Sequence, residues 1–238
     1  MLKLLLVTNG VDPNSRDTGY GRTQLLKLLL ATNGVEPDSR DTKYGRTPLS
    51  WASENGHEAV VKLLLATNGV DPDSRDTGCG RTPLSRASEN GHKAIVKLLL
   101  ATNRVNPDSR DTDNQTPLSW ASETGHEAVV KLLLATNCVD PDSRDTEYGR
   151  MPLPWVSERG REAVVKLLLA TDGANPDSRD TKGQTPLSWA SKKGHKVVVE
   201  QLLNAGADIN GGEALQYAAE NGHEEVVKLL ELRCKSSL

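Results

Sequence analysis

The stretch TPLSWASENGHEAVVKLLLATNGVDPDSRDT, residues 47–77, recurs with small changes along this chain. The copies are spaced 35, 34, 35 and 34 residues apart, a period that is typical of solenoids, in which each unit packs only on its neighbours. Such an array offers a long surface and no deep cleft, so the repeat favours binding over catalysis. The five copies begin at Thr47, Thr82, Thr116, Met151 and Thr185.

The composition limits both the core and the partners. Of the 238 residues, 36 % are hydrophobic and 3 % are aromatic, with no Phe, whereas ordinary domains are ~45–50 % apolar. This composition suits a thin core between two layers of short helices. The chain has 29 basic and 32 acidic residues, for a net charge of -3. We therefore expect no bulk attraction to a phosphate backbone and no nucleic-acid partner.

Nothing in the sequence points to a membrane, a metal or a cofactor. No run approaches the ~20 apolar residues of a membrane-spanning helix. Cys79, Cys138 and Cys234 fall at unrelated positions of the repeat, which fits neither a disulfide framework nor a metal site. We therefore expect no cofactor, no membrane partner and a reducing intracellular compartment, either the cytoplasm or the nucleus.

Each unit predicts two short helices. Thr47 suits an N-cap, because its hydroxyl can accept a hydrogen bond from an unpaired backbone N–H, and Pro48 suits the first helical position. Gly56 ends this first helix, and a second helix runs from His57 to about Ala66. Since isolated helices of ~12–15 residues are already marginal in water, each helix must pack on its partner and on the next unit.

The segment that follows, residues 68–81, is rich in Gly, Asp, Ser and Pro and predicts a turn with an extended β-hairpin-like loop. Two helices and a hairpin, with T-P-L at the start and G-H between the helices, resemble the ankyrin repeat over nearly the whole chain. The segments P-L-S-W-A and D-S-R-D-T are similar to segments of such arrays in filamentous fungi. The motifs stand at Thr47-Pro48-Leu49, Thr82-Pro83-Leu84, Thr116-Pro117-Leu118 and Thr185-Pro186-Leu187, and at Gly56-His57, Gly91-His92, Gly125-His126, Gly194-His195 and Gly222-His223.

The resemblance implies an all-α, ankyrin-type solenoid of helix-turn-helix units joined by β-hairpin loops. Residues 1–46 would hold truncated N-terminal repeats with second helices only, and residues 213–238 a more polar capping repeat. The uncovered N-terminal helices indicate either a fragment of a longer gene or a contact face, and we expect a monomer unless they associate. The five full repeats in residues 47–212 would be 47–81, 82–115, 116–150, 151–184 and 185–212.

One repeat departs from the family pattern at three positions. Met151 replaces the capping Thr, Pro154 replaces the following Ser, and Arg161 replaces the His after the glycine. In the other full repeats a serine such as Ser50 stands where the family usually has His, and we expect it to bond the capping Thr. Because the loss of a cap costs ~0.5–2 kcal/mol, we predict that the repeat from Met151 forms a weak interface and opens first.

Catalytic and metal motifs are incomplete in this sequence. His57-Glu58 begins like a zinc-protease motif, but the second metal ligand would fall at Val61. The acidic run from Asp71 lacks the glycine and the final glutamate of a calcium loop. We therefore expect no enzyme activity, and we assign the repeated histidines to structural bonds with the backbone of a neighbouring loop.

The resemblance further implies that partners contact the hairpin tips and the ends of the first helices, on a concave side. Positions that choose a partner should vary between repeats, and these positions do. The tip residues are Lys43, Tyr44, Arg46, Cys79, Arg81, Asp113, Gln115, Glu147, Tyr148, Arg150, Lys182 and Gln184. The helix-end residues are Glu54, Asn55, Glu89, Asn90, Glu123, Thr124, Glu158, Arg159, Lys192 and Lys193. Trp51, Arg86 and Trp120 share a slot in the first helix that Trp155 and Trp189 also occupy.

Two features of this surface each allow two interpretations. We call Glu54, Glu89, Glu123 and Glu158 the acidic row; it either is an ordinary solvated face or favours a partner with basic residues. The tryptophans either pack between neighbouring first helices or serve as binding hot spots.

The sequence as a whole predicts a non-catalytic module that binds another protein, of unknown identity, on its concave face. Two alternatives stay open. The chain could be the sensing array of a larger receptor-like protein whose effector domain is missing, or a structural spacer without a specific partner. A reading frame that continues upstream of Met1 would favour the first of these.

Overall fold

A computed structural model describes residues 36–136, 138–210 and 213–236 of the chain. The described residues form twelve α-helices, and none of them lies in a β-strand. The prediction of truncated repeats in residues 1–46 lies mostly outside this part of the chain. The helices, numbered here in chain order, are α1 Pro48–Glu54, α2 Glu58–Leu65, α3 Pro83–Glu89, α4 Lys93–Leu100, α5 Pro117–Thr124, α6 Glu127–Leu134, α7 Pro152–Glu158, α8 Glu162–Leu169, α9 Pro186–Lys193, α10 Lys196–Asn204, α11 Ala214–Glu220 and α12 Glu224–Ser236.

The first helix of most repeats begins as the sequence predicts. At α1, the Thr47 side chain accepts a hydrogen bond from Ser50 N at 3.2 Å, and Pro48 occupies the first turn, where no N–H is needed. Gly56 follows the helix at φ +76°, a left-handed conformation that glycine adopts at little cost. The same threonine cap starts α3 at Thr82, α5 at Thr116 and α9 at Thr185.

The second helices bury one apolar face. In α2, the buried residues are Val60, Val61 and Leu64, and the equivalent positions are buried in α4, α6, α8 and α10. Burial of one such side chain contributes ~1.5–3 kcal/mol. This contribution offsets the low intrinsic stability of helices that are only 8 or 9 residues long.

The helices form two layers within each of two compact units, residues 1–112 and residues 113–238. In the first unit, α1 packs on α3 and α2 packs on α4. In the second unit, the first helices α5, α7, α9 and α11 pack in succession, and so do the second helices α6, α8, α10 and α12. Within each unit, this packing of one repeat on the next confirms the predicted all-α repeat fold.

The loops between repeats are stacked turns rather than paired strands. Asp76 N donates to Arg81 O at 3.0 Å and closes one loop on itself. Thr77 N then donates to Tyr44 O of the preceding loop at 2.9 Å. One backbone bond between neighbouring loops is too few for a strand, so the predicted β-hairpins contain no strand in the part of the chain that is described.

The repeat that begins at Met151 lacks a bond that the three preceding repeats have. In those repeats the capping threonine also bonds a serine 27 positions later, as Thr82 Oγ1 does with Ser109 Oγ at 3.2 Å. Met151 makes no side-chain cap bond, and the equivalent serine, Ser178, is buried with an unpaired Oγ. A buried hydroxyl without a partner costs ~1–3 kcal/mol. The replacement of the Thr therefore leaves Ser178 Oγ without a partner, whereas no backbone N–H is orphaned at the usual cap position, because Pro154 stands there and has none.

Candidate functional site

In four loops, one aspartate fastens the tip to the first helix. Asp145 Oδ1 accepts a hydrogen bond from Tyr148 N at 2.7 Å, and Asp145 Oδ2 accepts one from Trp155 Nε1 at 3.1 Å. The tryptophan slot therefore positions the tip, and the constant D-S-R-D-T motif was the signal for it that sequence reasoning missed. The same indole bond joins Trp51 to Asp41 at 3.0 Å and Trp189 to Asp180 at 3.1 Å.

Arg86 takes over this bond where the tryptophan is missing. Its Nη2 donates to Asp76 Oδ2 at 2.8 Å, and its Nη1 lies 3.7 Å from Glu54 Oε1. Burial alone would raise the pKa of Asp76, but the hydrogen bond from Arg86, together with bonds from the backbone, holds it below its ordinary value. Arg86 is buried and is thus mainly a tip-fastening residue.

The acidic row is neutralised by arginines of the chain itself. Each glutamate accepts a charged hydrogen bond, and three of the four arginine donors stand eight positions earlier in the tip. The expected excess of negative charge on this face is therefore absent. The pairs are Arg46–Glu54 at 2.7 Å, Arg81–Glu89 at 2.8 Å, Arg150–Glu158 at 2.7 Å and Arg159–Glu123 at 2.6 Å.

In the second unit, Arg150 lies at the centre of an aromatic cluster. Its guanidinium carbon is 4.0 Å from the ring centroid of Trp189, 4.4 Å from that of Trp155 and 5.1 Å from that of Tyr148. Tyr148 and Trp155 meet edge to face, with centroids 6.1 Å apart. Such cation–π and aromatic contacts fix the rings in place.

This cluster forms part of an open depression of about 520 Å³. Its charged groups differ in exposure: the side chains of Arg159 and Lys193 are 44 % and 47 % exposed, whereas those of Glu123 and Glu158 are 18 % and 20 % exposed. The cations therefore project toward solvent, and their anionic partners lie beneath them. The depression is lined by Tyr148, Arg150, Trp155, Glu158, Arg159 and Lys193.

The first unit contains the same frame. Arg46 lies 4.8 Å from the ring centroids of both Tyr44 and Trp51 and 2.7 Å from Glu54. Lys43 adds a second cation 4.7 Å from the Tyr44 ring. The arrangement of tip tyrosine, tip arginine, helix tryptophan and helix-end glutamate is therefore a repeated element of this chain.

The two frames differ at the helix ends. Arg159 and Lys193 of the second unit correspond to Asn55 and Asn90 of the first, which are neutral. Asn55 Nδ2 donates back to Trp51 O at 2.8 Å and so also closes its helix. The same closing role falls to Thr124, whose Oγ1 donates to Trp120 O at 2.7 Å, and to Asn90, whose Nδ2 donates to Arg86 O at 2.9 Å.

Toward the C-terminus the surface continues through Lys192. Its Nζ lies 5.3 Å from the Trp189 ring and 5.1 Å from the Tyr217 ring. Gln184 Nε2 donates to the Tyr217 hydroxyl at 2.9 Å. Sequence reasoning missed Tyr217, although it stands in the tryptophan slot of the last repeat.

The other predicted tip residues have mixed environments. Glu147 hydrogen-bonds the Tyr148 hydroxyl and so raises the pKa of that tyrosine. Cys79 is exposed, and Gln115 is buried. Asp113 O accepts from Thr146 N at 3.0 Å, as part of the stacking of loops in the second unit. Lys182 N donates to Asp180 Oδ1 at 2.9 Å, so Asp180 fastens its tip as Asp145 does.

Three of the histidines after the glycines make backbone bonds, as predicted, but to the end of a helix rather than to a loop. His92 Nε2 donates to Glu54 O at 2.9 Å, in the preceding repeat. His195 bonds Glu158 O, and His223 bonds Lys192 O, both at 3.0 Å. These bonds satisfy carbonyls that the helix leaves unpaired, so the histidines have a structural role.

Residues 36–136, 138–210 and 213–236 contain neither a candidate metal cluster nor a candidate membrane-spanning helix. No group of three or more His, Cys, Asp or Glu side chains there could hold a metal ion. No helix among these residues is long and apolar enough to cross a membrane.

The model of one protein family matches almost the whole chain. It describes ankyrin repeats in three copies, and its overlapping matches together extend from residue 1 to residue 236. A search of curated proteins finds no match. The matched ranges are 1–76, 18–111, 60–145, 86–180 and 153–236.

Proposed function

Because the chain belongs to the ankyrin-repeat family, whose members are generally protein–protein interaction modules without catalytic activity, we propose that it binds another protein without catalysing a reaction. The proposed binding surface consists of the loop tips and the first helices. We call it the tip surface.

The observation that carries this proposal is the depression around Arg150. Tyr, Trp and Arg are the residues that most often dominate binding energy at protein interfaces, and Tyr148, Trp155 and Arg150 meet there. Arg150 is buried, is bonded to Glu158 at 2.7 Å and lies 3.6 Å from Asp180 Oδ2. A side chain already held in this way loses little conformational freedom when a partner binds.

The variation between repeats also supports the tip surface. The buried positions of the second helices are nearly constant, and the fastening aspartate is present in each full loop. The outward tip residues change from Lys43 to Glu147 and from Cys79 to Tyr148. Constant positions maintain the fold, so the variable ones are free to determine which partner binds.

A photo-cross-linking amino acid at position 148 tests the proposal. The full-length protein would carry it in place of Tyr148, in cells that make the protein, and the matched control would carry it in place of Lys166, which is exposed on α8. We expect a defined cross-linked species from position 148 that excess unlabelled protein competes away. Equal capture from both positions would contradict the proposal, and no capture from either would favour a structural spacer.

A further inference from the structure

We propose that the tip surface of the second unit binds an acidic peptide segment of the partner. The carboxylates of that segment would pair with Arg159 and Lys193, and a neighbouring apolar side chain would pack against Tyr148 and Trp155. The inference rests on the proposed function and adds the chemistry of the partner. It reverses the expectation of a basic partner that the acidic row alone suggests.

The aromatic cluster argues against a cationic ligand, because arginines of the chain itself already lie over its ring faces. Aromatic faces attract cations within about 6 Å of the ring centroid. Arg150 lies 4.4 Å from Trp155 and 4.0 Å from Trp189, and Arg159 lies 5.7 Å from Trp155. A lysine or arginine from a partner would therefore meet two guanidinium groups.

The exposure of the charged groups favours an anion. Glu158 bonds Arg150 at 2.7 Å and lies 3.7 Å from Lys193 Nζ, so its negative charge is compensated from two sides. Arg159 pairs with Glu123, but about twice as much of the arginine side chain is exposed. An approaching peptide meets Arg159 and Lys193 first, and charge complementarity of this kind sets orientation and association rate.

One neighbouring carboxylate sets the direction of the peptide. Glu147 lies beside the Tyr148 hydroxyl, on the tip side of the aromatic pair. Arg159, Lys192 and Lys193 lie at the helix ends. The acidic part of the segment should therefore lie toward the helix ends and the apolar part toward Tyr148.

The first unit supplies a natural control. It shares the tip tyrosine, tip arginine, helix tryptophan and helix-end glutamate, but Asn55 and Asn90 replace the two outward cations, Lys43 replaces Glu147, and Arg86 replaces Trp189. Placing asparagine at positions 159 and 193 thus copies the residues that this chain already carries at the two equivalent helix ends. The reciprocal exchange, Asn55→Arg with Asn90→Lys, should transfer acid binding to the first unit.

The experiment measures fluorescence anisotropy of three labelled ten-residue peptides on the full-length chain at low salt. One peptide carries four glutamates around two leucines, and the others carry glutamine or lysine in place of glutamate. We expect the glutamate peptide to bind about fivefold or more tightly than the glutamine peptide, since two exposed ion pairs form. The lysine peptide should bind most weakly, and salt should remove the preference.

Two double variants separate the site from general charge attraction. Arg159→Asn with Lys193→Asn should abolish the preference for glutamate over glutamine, and each single change should remove part of it. Lys131→Asn with Lys166→Asn removes the same net charge from exposed positions on α6 and α8 and should leave the preference intact. Circular dichroism melts would show that the variants stay folded.

Several results would overturn the inference. One is equal binding of the glutamate and glutamine peptides. Another is an equal loss of the preference for glutamate in both double variants. The third is binding of a phosphoserine peptide but not of the glutamate peptide. If position 148 cross-links a partner and the acid preference is absent, the inference fails while the proposed function stands. An acid preference without any cross-linked partner would instead count against the proposed function.

Discussion

Two serines at equivalent positions differ in whether their hydroxyl has a partner. Ser109 Oγ shares a hydrogen bond with the capping Thr82, whereas Ser178 Oγ is buried with none because Met151 replaces the threonine. The same serine therefore stabilises one repeat and destabilises another.

Removal of the hydroxyl should have opposite effects at these two positions. Ser178→Ala should raise the free energy of unfolding by about 0.5–1 kcal/mol, because an unpaired buried hydroxyl is lost, and Ser109→Ala should lower it by about 1 kcal/mol. Urea unfolding would measure both. A change of the same sign in the two variants would show that the missing bond at Ser178 has no energetic consequence.

The aspartates of the loops should give a pH dependence of opposite sign at two positions. Burial raises the pKa of Asp142, partly opposed by a hydrogen bond from Asn175 N. The folded state therefore binds a proton at Asp142 more readily than the unfolded state does. The contribution of Asp142 to the free energy of unfolding thus increases as the pH falls. Asp142→Asn, which keeps the acceptor, should stabilise the protein at neutral pH, and this gain should shrink as the pH approaches 3.8, the ordinary pKa of aspartic acid.

Asp76 is the matched control for this prediction. Despite its burial, its bond from Arg86 holds its pKa below the ordinary value, so its contribution to stability is present above that value and is lost as the pH falls through the lowered pKa. Asp76→Asn should therefore destabilise the protein at neutral pH, less so in acid. Thermal melts of both variants from pH 7 to well below pH 3.8, the ordinary pKa of aspartic acid, would check the two signs.

At the scale of the element, most boundaries could be predicted from single residues. Thr47, Pro48 and Gly56 determine α1 through local rules for caps, and α2 begins one residue after His57, which serves as its N-cap. The hairpin-like return of the loops was predicted, and the bond from Asp76 N to Arg81 O closes one of them, but the lack of strands among the described residues was not, because a strand depends on how many bonds a neighbouring loop provides. The number of these bonds depends on how the loops of successive repeats stack on one another.

The glycines at the ends of the first and second helices allow a test of the close packing between repeats. Gly194 and Gly173 both have positive φ, +74° and +93°. A Cβ at Gly194 would lie 2.6 Å from His223 Nδ1, whereas one at Gly173 would meet nothing within 4 Å. Alanine should thus cost about 1–2 kcal/mol at position 173 from backbone strain alone.

At position 194 the cost of alanine should be larger, because the His223 ring must also move away from Lys192 O. Chemical denaturation of Gly194→Ala and Gly173→Ala would compare them directly. Equal destabilisation would mean that the histidine bond contributes little to the contact between α9 and the last repeat.

At the scale of the whole molecule, a repeat array opens where contact between neighbours is weakest. In the second unit this place should be residues 151–170, because α7 has no side-chain cap and Ser178 is unpaired. Native-state amide exchange should therefore be faster in residues 151–170 than in residues 116–135. Equally slow exchange in the two segments would disprove the prediction.

The sequence predicted the family and most residues of the candidate site, but it did not predict their charge balance. The pairs Arg46–Glu54, Arg81–Glu89 and Arg150–Glu158 share a separation of eight residues, which was visible in the sequence. Whether residues at this separation form an ion pair depends on the turn that brings a tip back over the helix end. Without that turn, the glutamates look like free charges.

The exchange of Trp for Arg86 has a consequence for how such a surface changes over generations. A tryptophan codon becomes an arginine codon through a single base change, and either side chain can donate to the same aspartate, as Trp51 does to Asp41 and Arg86 to Asp76. Each repeat can therefore exchange an aromatic donor for a cationic one in one mutational step while its tip stays fastened. Binding to new partners can then evolve one repeat at a time, without an intermediate sequence that fails to fold.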